Sequence, residues 1–143
     1  MNTIYIFTDG IYPIHLGGMQ KHSWYLAKSL ALLGVKVKVF FPGNNDDTSR
    51  IRELLTTAEK NHITFQPIEV IPRFRIPGHY LFENYFYSKR IFEKLKGASL
   101  PDFIYAQGYS GWALLSKRKK IKHIDAFKIG INFHGLEMFQ KAP

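Results

Sequence analysis

Two glycines, Gly17 and Gly18, stand just ahead of a helical pattern in the stretch HLGGMQKHSWYLAKSL, residues 15–30. Glycine inside a helix costs roughly 0.5–1 kcal/mol relative to alanine, so the pair answers a need. One need is for a phosphate to reach the helix: its N-terminus offers free N–H groups and the positive end of the dipole, and glycine carries no side chain to block an anion. A plain turn that packs the helix closely against a sheet accounts for the pair equally well. His134, before Gly135, ends an apolar run. Its imidazole can donate to a hydroxyl or phosphate oxygen, or move a proton near neutral pH; the ordinary alternative is a histidine satisfied by backbone at a strand end. Glu137 either orients a ligand hydroxyl or caps the next helix. A third segment of this kind is Gln107-Gly108-Tyr109.

Other chemistries lack their residues. No G-x-G-x-x-G or G-x-x-x-x-G-K-[ST] occurs, which argues against a nicotinamide dinucleotide site and a P-loop. The six histidines are scattered without H-E-x-x-H spacing, and no metal site is expected. Gly108-Tyr109-Ser110-Gly111 lacks the spacing of a G-x-S-x-G nucleophile elbow. With no cysteine, disulfides and thiol chemistry are excluded. His15 receives no role.

The elements that must position these residues follow from periodicity. Residues 4–7 form a short apolar run, as in a strand buried on both faces. Met19, Leu26, Leu30 and Leu33 recur at helical spacing, and Gly34 stands where a terminating glycine belongs. Residues 35–41 read as a second strand. Asp47, Thr48 and Ser49 are suitable caps for a short helix carrying Ile51, Leu54, Leu55 and Ala58. Residues 63–71 form a third strand, which Pro67 pushes toward a sheet edge or a break. A helix spans about 80–96, a fourth strand 103–106, a helix 111–120 and a fifth strand 129–133. Strands alternating with helices predict one α/β domain over residues 1–143, Rossmann-like and doubly wound, with a mainly parallel sheet and helices on both faces. In such sheets ligands bind beyond the carboxyl ends of the strands. The three unusual segments all fall at such ends.

The 143 residues suffice for one domain with a real core. Twenty Lys and Arg against eleven Asp and Glu give +9, a field that favours anionic partners without choosing among them. No recognised nucleic-acid motif accompanies the charge, so nucleic acid ranks as the weaker alternative. The N-terminus lacks the pattern of a signal peptide, and no apolar run approaches a membrane span. The 80–96 helix carries aromatics over a wide arc: Leu81, Tyr85, Phe92 and Leu95 make one face, whereas Phe82, Phe86 and Tyr87 do not fit on it. Such a helix is packed on two sides. Alternatively, with Arg73, Arg75, Lys89 and Arg90, it offers a surface for an acceptor or an anionic bilayer.

The stretches GGMQKHSWYLAKSLALLGVKVKVF, PDFIYAQG and IGINFHGLE, in this order and separation, resemble the N-terminal domain of family 4 retaining glycosyltransferases, built from two facing Rossmann-like domains (the GT-B fold). The resemblance spans essentially all 143 residues. It implies a hexosyltransferase-type enzyme that moves a sugar from a nucleotide-sugar donor to a glycan, lipid-linked or small-molecule acceptor, with retention and without a metal cofactor. Gly17 and Gly18 would lie near the diphosphate and acceptor, together with Gln107, Gly135 and Glu137, and His134 would contact the donor sugar in the catalytic centre. The family's C-terminal domain carries two glutamates spaced E-x7-E, and no pair here has that spacing. The chain is therefore expected to be the acceptor-side half of a longer cytoplasmic enzyme, inactive alone; peripheral contact with the inner face of the membrane goes with the second reading of the 80–96 helix. A stand-alone nucleotide- or phosphosugar-binding module is the alternative.

Overall fold

The computed structural model describes residues 2–69, 77–121 and 127–133. His134, Gly135 and Glu137, like Arg73 and Arg75, lie outside the described residues. The chain alternates as expected: β1 (Thr3–Phe7), α1 (Gly18–Leu32), β2 (Lys36–Pro42), α2 (Asn45–Glu53), α3 (Thr57–Lys60), β3 (Ile63–Ile68), α4 (His79–Lys96), β4 (Phe103–Gln107), α5 (Trp112–Lys117) and β5 (Lys128–Asn132). A 3-10 turn over Gly108–Gly111 joins β4 to α5.

The strands form one parallel sheet in the order β3-β2-β1-β4-β5. Chain order runs outward from β1 to β3 and then returns to place β4 on the other side of β1, so the order reverses between β1 and β4. Alternation along the central strands divides the core in two. Tyr5, Phe7, Phe40, Ile104 and Ala106 pack with Ile91, Phe92 and Leu95 of α4 and with Ala113 and Leu114 of α5. Ile6, Val37, Val39 and Phe41 pack on the opposite face with Trp24, Ala27 and Ala31 of α1 and Ile51 of α2. Each large apolar side chain so buried contributes roughly 1.5–3 kcal/mol.

Local signals fix the ends. Gly34, at φ +79°, takes the left-handed conformation that stops α1. Pro67 sits on the edge strand β3, where its missing N–H breaks no inner ladder. The second helix starts earlier than the sequence suggests. Asn44 caps it, accepting from the Asp47 amide at 2.9 Å while the Asp47 carboxylate accepts from the Asn44 amide at 3.0 Å. A second capping box, Thr56 with Glu59, opens α3 separately.

Candidate functional site at the β1–β4 switch point

Two of the segments singled out in the sequence meet where the strand order reverses. Gly17 follows the loop from β1 and serves as N-cap of α1 with no side-chain capping bond, and the first turn of α1 carries no acidic residue. Gly17 and Gly18 are both exposed, and Met19 and Gln20 are half-buried. Gly17 lies at φ 155° and ψ 166°, a region open essentially to glycine alone. A Cβ on Gly18 would meet nothing within 4 Å. The clearance at Gly18 is therefore not required by the protein's own packing.

Beneath this N-terminus lies a buried polar cluster that sequence reasoning missed. Thr8, just after β1, Ser23 of α1 and Gln107 at the end of β4 are each 1% exposed or less. Oε1 of Gln107 lies 2.8 Å from Thr8 Oγ1 and 2.6 Å from Ser23 Oγ, and the two hydroxyls are 3.1 Å apart. Thr8 also donates to the Gly10 carbonyl at 2.6 Å, and Ser23 to that of Met19 at 3.1 Å. Two hydroxyl protons cannot serve all these contacts. Turning the amide so that its nitrogen faces the hydroxyls would supply two more and free both hydroxyls to donate to the backbone. In the orientation seen, Gln107 Nε2 is buried without a partner; turned, the oxygen would be the orphan. Gln107 was singled out as a ligand contact; its side chain points inward and ties β4 to β1 and α1.

Further bonds fasten the same corner. Ser110 Oγ lies 3.0 Å from the Phe7 carbonyl and 2.6 Å from that of Gln107. From α4, the Tyr87 hydroxyl donates to the Thr8 carbonyl. Burial, and secondarily the carboxylate of Asp9, push the Tyr87 phenol well above its ordinary value, so it stays protonated and donating. A serine or threonine at a strand end was the available signal, but such residues are common in turns.

The loop between Asp9 and Gly17 is held by His15, whose Nδ1 accepts from the Ile11 amide at 3.2 Å. That bond selects a ring with its proton on Nε2. Asp9 is exposed and reaches Gln20 Nε2 at 3.5 Å. Beside β5, a chain of side chains links His22 Nε2 to the Tyr105 hydroxyl at 3.2 Å and Asn132 Nδ2 to the same oxygen at 2.7 Å.

Arg90 donates to the Glu69 carbonyl at 2.6 Å. It lines a cavity of about 680 Å³ with Asn44, Gln66, Glu69, Glu93 and Lys94, at the ends of β2 and β3. Lys89 is half-buried on α4. Among the described residues, no three His, Asp or Glu side chains gather in a way that could hold a metal ion.

The fold recurs in solved proteins. Sucrose-phosphate synthase from Thermosynechococcus elongatus matches 100% of this chain and 36% of its own, at a TM-score of 0.66 and 18% identity. A UGT transferase from Siraitia grosvenorii, solved in complex with UDP, matches 92% of this chain and 28% of its own, at a TM-score of 0.58 and 16% identity. This chain is folded like a domain of both transferases. It spans about a third of their length. The C-terminal domain of a hydrogenase from Pyrococcus furiosus also matches, over 92% of this chain and 91% of its own, at a TM-score of 0.53 and 12% identity. One fold thus hosts unlike functions, and the site must carry the functional argument. No family model and no curated protein sequence matches the chain.

Proposed function

We propose that the chain is the acceptor-side domain of a retaining glycosyltransferase that takes its sugar from a nucleotide-sugar donor. One observation carries the reading: the N-terminus of α1, with no side-chain cap and with open space beside Gly18, lies at the strand-order reversal of a sheet shared with two transferases. Ligands of open parallel sheets bind at that place, and a helix N-terminus there suits a diphosphate. In this account the Thr8–Ser23–Gln107 cluster positions the first turn of α1 against β1 and β4, so Gln107 acts through the backbone. His134 and Gly135 come two and three positions after Asn132 in sequence, and in this account His134 contacts the donor sugar and Glu137 a ligand hydroxyl. The second domain of a longer chain supplies the other wall of the cleft and most of the donor contacts.

The test is a transfer assay on the full reading frame with a panel of nucleotide-sugars, following the anomeric configuration of the product. The account expects sugar transfer with retention, and a loss on the order of 10²–10⁴-fold in kcat for His134→Ala. The 143-residue chain alone gives no turnover. Nucleotide binding without transfer by the full frame would favour a binding module, and unchanged turnover in His134→Ala would remove that residue from the centre.

A further inference from the structure

The outer surface formed by α4 and α5 pairs exposed apolar side chains with a cluster of cations. The two helices run side by side in parallel, as three contacts show. The Tyr85 and Trp112 rings stand edge-on at 5.4 Å, the Ala113 amide donates to Ser88 Oγ at 3.2 Å, and Lys117 Nζ lies 6.0 Å from the Phe92 ring centre. Phe82, Tyr85 and Lys89 share one side of α4 by their i, i+3, i+7 spacing. Phe82 is 51% exposed, Trp112 39% and Leu115 42%. Directly after Leu115 and Ser116 come Lys117, Arg118, Lys119 and Lys120, the last three exposed in a 3-10 turn. No carboxylate occurs between Asp102 and Asp125. On α4, Glu93 is engaged by Lys96 at 3.4 Å, and Glu83 is half-buried.

We infer that this α4–α5 face docks on an anionic bilayer surface, with Trp112, Phe82 and Leu115 entering the headgroup boundary and Lys117 to Lys120 meeting lipid phosphates. The pattern is that of an interfacial anchor: apolar and aromatic side chains for depth, adjacent cations for the surface potential. Leu115 beside Trp112 favours lipid over nucleic acid, since leucine offers no face for base stacking. The inference stands on this surface and not on the transferase reading, because vesicle binding and sugar transfer are read separately.

The two tryptophans make the test specific. Trp24 is 5% exposed within the core, so a change in emission on binding reports Trp112. The chain is mixed with vesicles of phosphatidylcholine alone or with a quarter phosphatidylserine, at near-physiological ionic strength, and assayed by flotation and by quenching with brominated lipid. The expected result is flotation with the anionic vesicles only, with Trp112 emission blue-shifted and quenched. Replacing Lys117, Arg118, Lys119 and Lys120 by glutamine weakens binding by about tenfold or more. Trp112→Ala removes the quenching, and far-UV circular dichroism stays that of the parent in both variants. Absence of flotation, equal flotation with neutral vesicles, flotation without quenching, or tighter binding to RNA than to anionic vesicles would overturn the proposal.

Discussion

At Gly18 a methyl group would point into open space, whereas at Gly10 it would strike Gln20 and His15 at 2.9 Å. The two alanine variants therefore separate packing from function. Gly10→Ala should lower stability by about 1–3 kcal/mol in a denaturant titration, because both neighbours must shift. Gly18→Ala should leave the thermal midpoint unchanged or slightly raised while weakening transfer by the full-length protein; unchanged transfer would return the glycine to a plain turn. Below the glycines, Gln107→Ala removes two buried bonds and should cost about 1–3 kcal/mol. The pattern of residue types exposed Gly17, Gly18 and Gln107 as worth attention. It did not show that the Gln107 side chain faces inward, because that depends on Thr8 and Ser23 arriving from two other elements, 99 and 84 positions away in sequence.

Among the elements, α3 is fastened to α1 by an ion pair, Lys28 Nζ to Glu59 Oε1 at 3.4 Å, with Lys28 also 5.4 Å from the Trp24 ring centre. Burial raises the Glu59 carboxyl. The Thr56 amide and Lys28 together outweigh it and hold the group below its ordinary value of 4.5. A depressed folded-state value means that this contribution to stability is present above about pH 4.5 and is lost as the pH falls through the folded-state value. Thermal melts of Glu59→Gln should accordingly lie below the parent at neutral pH, with the gap narrowing in acid; a constant gap would show that the loss is one of packing alone. Helix and strand periods were legible for every element of the sheet, and Pro67 announced an edge. The start of α2 was not, since Asn44 and Asp47 cap it reciprocally and four other good capping residues, Asn45, Asp46, Thr48 and Ser49, follow within five positions. On α4, Tyr87 does not fit the face of Leu81, Tyr85, Phe92 and Leu95 expected from the sequence, yet it stands one turn before Ile91 and packs against the same core. Its place became clear only from the Thr8 carbonyl it reaches.

For the whole molecule, strand order decides where chemistry can occur, and the order β3-β2-β1-β4-β5 puts the uncapped end of α1 at the reversal. The alternation of apolar runs and helical stripes made the parallel α/β class readable, because each crossover needs a helix to cover a sheet face. The hydrogenase-domain neighbour shows why the class alone does not fix function. The account rests on a phosphate-bearing ligand meeting that helix end rather than spreading over a surface of charge +9. Amide chemical shifts of the isotope-labelled chain, titrated to saturation with UDP-glucose and separately with pyrophosphate, test this most directly. The account predicts the largest shifts at the backbone amides of Gly17, Gly18, Met19 and Gln20, abolished in Gly18→Ala. Shifts centred on Lys117, Arg118, Lys119 and Lys120 with none at the start of α1 would contradict it.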